Sequence, residues 1–166
     1  MLIRPRLDDD LEICVRLLRT VYRSDGYPAN WPKDPISWLA GRRTLAAWVG
    51  EEDGKLTGHV ALTEPDPDRA WPQWAEALAL PLERLAVIRR LFVAPQSRRR
   101  GLATTLVERA ECEASNRELA LVLDVAEHNH ATIRFWKHRG WREVGQATLP
   151  PGDEGRPLRL LLLVAG

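Results

Sequence analysis

The feature that most constrains this chain is a strand, a basic turn and a helix following one another between Leu85 and Ala114. Leu85 to Val93 is an apolar run of strand length closed by Ala94-Pro95. After the turn Arg98-Arg99-Arg100-Gly101, the residues Leu102, Ala103, Leu106, Val107, Ala110 and Ala114 share one helical face. A glycine at the mouth of a helix lets the backbone come close to an anion, and the free amides of the first helical turn point at that anion. The helix dipole and the side chains of Arg98, Arg99 and Arg100 add positive potential there. That suits a pyrophosphate better than a single carboxylate, so a phosphorylated cofactor is expected. Taken alone, four such residues are better read as a helix start with a solvated turn or a nucleic-acid patch, so context has to decide.

Composition narrows the choice. The 166 residues suffice for one domain, and 45% hydrophobic with 28% charged residues is a globular composition, so a single domain over 1–166 is expected. With 24 basic and 23 acidic residues the net charge is +1, which argues against an extended grip on nucleic acid or an anionic membrane. Cys14 and Cys112 form no CxxC pair and fall in helical patterns, so neither a disulfide framework nor a metal site is expected. Met1-Leu2-Ile3-Arg4-Pro5-Arg6 runs into acids without the apolar core of a signal peptide. A cytoplasmic location is the resulting expectation.

The remaining pattern alternates strands and helices. Ile3 opens a short strand, Asp8-Asp9-Asp10 supplies an N-cap, and Leu11, Cys14, Val15, Leu18, Val21 and Tyr22 recur at helical spacing. Asp25 to Pro35 is a proline- and aromatic-rich loop leading to a helical turn at Ile36–Ala40. Thr44–Val49 and Leu56–Leu62 read as an antiparallel pair joined through Glu51-Glu52-Asp53-Gly54. Pro65 to Pro81, with Trp71 and Trp74, reads as a short helix between strands. Leu119–Val125 is a buried strand, Asn129–Arg139 a helix, and Trp141–Thr148 and Leu158–Val164 are strands.

In this context Arg98-x-x-Gly101-x-Ala103 resembles motif A of the GNAT family, the GCN-related N-acetyltransferases, whose pattern is Gln/Arg-x-x-Gly-x-Gly/Ala. A second segment, Asn129-His130-Ala131-Thr132-Ile133-Arg134-Phe135-Trp136-Lys137-His138-Arg139-Gly140-Trp141, resembles the family's later motif, in which Asn begins a helix that ends in Gly-aromatic. A Rossmann fingerprint would need further glycines and an acid after the next strand, and a P-loop would need Gly-Lys-Ser/Thr; neither occurs. The resemblance covers residues 2 to 148 and is most specific between Leu85 and Trp141.

It implies an α/β fold: a mixed, mainly antiparallel twisted sheet flanked by helices, with a parallel strand pair, ending near Val93 and Val125, that splays to hold the cofactor. It implies acetyl-CoA as co-substrate, with no metal. The cofactor residues would be Leu91, Phe92 and Val93 for pantetheine and Arg98, Arg99, Arg100, Gly101, Leu102, Ala103 and Thr104 for pyrophosphate, together with Asn129 and Trp136. An amide near Val93 would polarise the thioester carbonyl. The chain departs from the family at Trp136, where a tyrosine often serves as candidate general acid, because an indole cannot deliver a proton near neutral pH.

The attacking amine must lose a proton, so a carboxylate or histidine should serve it, directly or through water. His59, Glu64, Glu83 and Asp124 are candidates, and for any one of them the plainer reading is favoured: a hydrogen-bonded strand residue for His59, solvated loop acids for Glu64 and Glu83, a strand-end structural acid for Asp124. His128 and His130 lack the acidic or cysteine partners of a metal site. Tyr27, Trp31 and Trp38 follow the first helix, where the family builds its acceptor wall. They would enclose an apolar or cationic amine, or else plug the core.

The reaction expected is acetyl transfer to a primary amine of a small molecule by direct attack in a ternary complex. Acetylation of a protein or peptide amine is the alternative within the class, and a non-catalytic acyl-CoA-binding sensor the alternative outside it. The expected partner is the amine, with no nucleic acid and no membrane; the resemblance allows a homodimer through the last strands, which nothing in the pattern requires.

Overall fold

The computed structural model describes residues 1–151 and 156–166. Its elements run β1 (Leu2–Pro5), a 3-10 turn (Asp8–Asp10), α1 (Leu11–Asp25), α2 (Pro35–Ala40), β2 (Thr44–Glu52), β3 (Lys55–Thr63) and α3 (Pro72–Leu78). They continue as β4 (Leu85–Val93), α4 (Leu102–Asn116), β5 (Ala120–Ala126), α5 (His130–His138), β6 (Arg142–Leu149) and β7 (Leu158–Val164). Among the described residues the strands form one mixed sheet in the order β1-β2-β3-β4-β5-β7-β6. The chain gathers into two compact units, residues 1–63 with 88–117 and residues 64–87 with 118–166, and β4 runs through both.

In the first unit β1, β2 and β3 are antiparallel neighbours. The β2–β3 hairpin closes on Asp53-Gly54, both left-handed with φ of 49° and 72°. Such a pair matches the twist of a two-residue hairpin turn, and it explains the Asp-Gly that the sequence places there. Gly50 on β2 and Gly58 on β3 make room for α4. A Cβ on Gly50 would lie 2.5 Å from Leu102 Cδ1, and one on Gly58 2.9 Å from Leu106 Cδ1. The two leucines seat α4 on the sheet and so fix where its N-terminus points.

Helix α1 buries Leu11, Cys14, Leu17, Leu18 and Val21 in a core with Leu39, Val49, Phe92 and Ala94. Its start differs in detail from the expectation of a capping aspartate. Asp10 stands at the N-cap position without capping the helix through its side chain. Its carboxylate turns back to accept from Arg4 Nη1 at 2.7 Å, Arg4 Nη2 at 2.9 Å and the Leu7 amide at 2.7 Å. A guanidinium fork offers more donors than one helix amide, so the ion pair outcompetes the cap. The hydrogen bonds from Arg4 hold the Asp10 carboxyl below the usual carboxylate range.

In the second unit the proline-rich segment contains α3, which carries Trp74 into a core of Leu85, Val87, Val122, Leu162 and Val164. β4 and β5 are parallel from Leu85↔Ala120 to Val87↔Val122, while β7 lies antiparallel to both β5 and β6. Among the described residues no helix is long and apolar enough to cross a membrane.

Leu102 is 1% exposed, so its side chain cannot swing aside to admit a methyl group at Gly50. The substitution Gly50→Ala is expected to destabilise the protein by about 1–3 kcal/mol. Chemical denaturation would show this as a lowered midpoint at constant slope, and an unchanged midpoint would contradict the close approach of α4 to the sheet.

Candidate functional site

The turn between β4 and α4 is built to present backbone donors. Pro95–Ser97 forms a 3-10 turn, then Arg99 (φ 61°) and Gly101 (φ 84°) adopt left-handed backbone, which aims the chain into α4. Gly101 occupies the N-cap without any side-chain cap, and the first turn of α4 contains no acid. The helical ladder begins with the Thr105 amide donating to the Gly101 carbonyl at 3.0 Å. The amides of Leu102, Ala103 and Thr104 therefore lie before the ladder, as the first amides of any helix do. Space around Gly101 is open, with nothing within 4 Å of where a Cβ would stand.

The three arginines of this turn are not equivalent. Arg98 donates through Nε to the Val93 carbonyl at 3.2 Å and pairs through Nη2 with Asp25 at the end of α1. It braces the turn with its charge offset, while Arg99 and Arg100 are exposed.

Just upstream, β4 carries a left-handed residue in its interior, Arg90, with φ of 54°. For a non-glycine residue this costs roughly 1–2 kcal/mol, so the surroundings must hold it. They do so through His59, which is completely buried. His59 Nδ1 lies 2.8 Å from the Arg90 carbonyl, and Nε2 lies 3.1 Å from Arg6 Nη1. A carbonyl only accepts and a guanidinium only donates, so the ring is the neutral tautomer with its proton on Nδ1. Burial pushes the pKa of His59 down to about 3, with Arg6 and Arg90 adding to the effect. The same Arg6 nitrogen donates to the Leu39 carbonyl at 2.7 Å. His59 is thus a brace for the backbone of β4, stacked on Phe92 with ring centroids 5.1 Å apart, and the candidate role of base does not fit it.

Tyr27, Trp31 and Trp38 lie half-buried against the α1 core. Tyr27 approaches Phe92 with centroids 6.5 Å apart, and Trp31 packs on Tyr22 at 5.2 Å. Two of these rings already carry cations of the protein itself: Arg19 lies over Trp31 at 4.6 Å and Arg90 over Trp38 at 5.0 Å. One face of each indole is therefore engaged within the chain.

The second unit holds the other predicted residues. The Asn129 side chain accepts from the Thr132 amide at 3.2 Å and caps α5. Trp136 is 3% exposed, between Phe135 at 5.1 Å and Trp141 at 4.9 Å. Asp124, half-buried on β5, accepts from Trp71 Nε1 at 3.3 Å. Glu64 is exposed just past β3, and Glu83 is exposed in the turn that enters β4, at the strand end away from Gly101. No group of His, Cys, Asp and Glu among the described residues could hold a metal ion.

The acetyltransferase (GNAT) family model matches residues 12–141, which span the turn, β5 and α5 together. The chain belongs to this family. Among curated GNAT relatives, an uncharacterised N-acetyltransferase of Methanocaldococcus jannaschii is 32% identical over 146 residues, 85% of this chain and 60% of the relative. The chain therefore spans three-fifths of that relative's length. The peptidyl-lysine N-acetyltransferase YiaC of Escherichia coli K12 is 30% identical over 127 residues, 72% of this chain and 68% of the relative. Among solved structures, the acetyltransferase yncA of Salmonella typhimurium with its cofactor acetyl-CoA superposes with a TM-score of 0.73 at 19% identity, covering 99% of this chain and 92% of the other. At that identity the likeness shows the GNAT fold.

Sequence reasoning missed Arg6 and Arg90, the partners that make His59 the hydrogen-bonded strand residue of its alternative reading. The available signal was the pair Arg89-Arg90 interrupting an otherwise apolar strand. A histidine whose pKa is lowered by folding contributes stability above its unfolded value near 6.5, and that contribution is lost as pH falls towards 3. Between pH 6.5 and 5 the protein should lose up to about 1.4 kcal/mol per pH unit on this account. Denaturation of wild type and His59→Gln across that window should show a flatter profile for the variant; parallel profiles would contradict a buried neutral His59.

Proposed function

We propose that this GNAT protein is an acetyl-CoA-dependent N-acetyltransferase acting on a primary amine of a small molecule. The observation that carries this reading is the uncapped first turn of α4 above Gly101, with exposed Arg99 and Arg100 beside it. Backbone donors, a helix dipole and two cations around open space fit a pyrophosphate. Arg98, held by Asp25 and the Val93 carbonyl, keeps the turn in shape.

In the proposed reaction the neutral amine attacks the thioester carbonyl, a C–N bond forms, the C–S bond breaks and coenzyme A leaves as thiolate. Amides of Leu91 to Val93 would bind pantetheine, and one near Val93 would stabilise the developing oxyanion. Among the three carboxylate candidates Asp124 is preferred as the group that takes the amine proton, directly or through water, because it sits on a strand and is oriented by Trp71 Nε1. Trp136 is packed in an aromatic cluster and supplies no acid, so the thiolate would leave unprotonated or take a proton from water. Positioning the amine beside the thioester then carries most of the acceleration.

The similarity to a peptidyl-lysine N-acetyltransferase favours a peptide amine as a second acceptor class. Calorimetry with acetyl-CoA is expected to give micromolar binding, about −8 kcal/mol, and coenzyme A thiol release should then depend on added amine. A panel of small primary amines and lysine peptides separates the two acceptor classes. Binding without release from either would favour a sensor, and absence of binding would remove the proposal. Asp124→Asn should retain acetyl-CoA affinity while kcat drops by roughly 10²–10⁴; full turnover by this variant would assign the base elsewhere.

A further inference from the structure

Arg90 does more than shape β4. Its guanidinium lies over the Trp38 ring at 5.0 Å, and its Nε and Nη1 are buried without a hydrogen-bond partner. Leaving such donors unsatisfied is costly, more so on a charged group. The neighbours that bear on its charge are Arg89, Tyr27 and Arg6, two of them cations, and burial pushes its pKa down to about 10. Gly41 is part of the same arrangement: with φ of 57°, a Cβ there would stand 3.2 Å from Arg90 Nη1 and 3.3 Å from Nη2. A left-handed backbone and a tryptophan face thus hold one guanidinium where no carboxylate among the described residues pairs with it. Arg90 is half-buried as a residue, Nε and Nη1 lie beneath the surface, and Nη2 is not among the buried unpartnered atoms.

The structural arginines of this fold have partners: Arg4 found Asp10, Arg98 found Asp25, and Arg6 found the Leu39 carbonyl and the His59 ring. Among the described residues Arg90 Nε and Nη1 found no such partner, and Arg90 sits with Tyr27 and Trp38, the segment expected to line the acceptor. We infer that Arg90 is the recognition group for an oxyanion on the acceptor, so that the substrate is a small amine that also bears a carboxylate or phosphate, as an amino acid does. The inference rests on the acetyltransferase reading for the word acceptor, but the anion site can be tested without turnover. It also reverses the expectation that Trp38 would receive a cationic amine, since the protein has placed its own cation there. No group transfer occurs at Arg90; its role is to bind one end of the molecule while the amine end reacts.

The test reads the Arg90 Nε–H directly by ¹⁵N NMR, its resonance assigned by its loss in Arg90→Lys. N-acetylglycine, N-acetylglycinamide and inorganic phosphate are titrated into the full chain. The expected result is a saturable shift of this resonance with N-acetylglycine or phosphate and none with the amide, the two oxyanion arms telling carboxylate from phosphate. No shift with either oxyanion, or an equal shift with the amide, would overturn the inference. In the thiol-release assay Arg90→Gln should raise KM roughly 10- to 100-fold for a carboxylated amine while leaving KM for its methyl ester unchanged; equal losses on both would assign Arg90 a structural role. Failure to bind acetyl-CoA would count against the acetyltransferase reading alone, because the Nε–H titration contains no coenzyme.

Discussion

The interaction on which the first unit most depends is the buried hydrogen-bonded line from Arg6 through His59 to the Arg90 carbonyl. It joins the segment after β1, strand β3 and strand β4, and Arg6 also holds the end of α2 through the Leu39 carbonyl. Every member is constrained by its partners. The carbonyl requires a donor, the guanidinium requires an acceptor, and only a neutral imidazole serves both at once. Because the left-handed backbone at Arg90 is unfavourable by itself, this line keeps β4 in the conformation from which Phe92, Val93 and the basic turn follow.

The second constraint is the close seating of α4. Gly50 and Gly58 let Leu102 and Leu106 come down onto β2 and β3, and both leucines are almost fully buried. A helix anchored by its first turn has little freedom in where its N-terminal amides point, which preorganises them as donors. The near-zero net charge of the chain conceals how its cations are divided. Arg4 and Arg98 are matched by acids, Arg99 and Arg100 stand exposed beside the uncapped helix, and Arg90 lies on an indole face with no hydrogen-bond partner for Nε and Nη1 among the described residues. Local pairing, not composition, determines where positive charge is left without an acidic partner among the described residues.

Much of the architecture was legible because periodicity reports burial. The helices at Leu11, Leu102 and His130 and the strands ending near Val93 and Val125 stand within a few residues of where the pattern put them. The Asp53-Gly54 hairpin and the Gly101 helix start were readable because left-handed backbone restricts residue choice. Even the uncertain proline-rich stretch contains the short helix expected of it, with Trp74 as its buried anchor. The cap expected of Asp8-Asp9-Asp10 takes another form, Asp10 accepting the Leu7 amide and not an α1 amide, because an arginine six residues away in sequence lies within hydrogen-bond reach in space. Arg90 is not distinguishable from Arg89 in the sequence, because its left-handed backbone and its place over Trp38 exist only in the folded strand.

What the sequence determined by itself was the family's strand–turn–helix with Gly101 at its corner and the Asn129 helix, since both rest on contacts between residues near one another in the chain. Tertiary structure alone decided that His59 is a neutral brace, that Arg98 is neutralised while Arg90 is not, and that Asp124 is oriented by Trp71. Charge state and hydrogen-bond partnership depend on groups brought together from 31 residues apart for His59 and Arg90, 73 for Arg98 and Asp25, and 53 for Trp71 and Asp124. No local pattern records such separations, because burial and partner geometry exist only after the chain has folded.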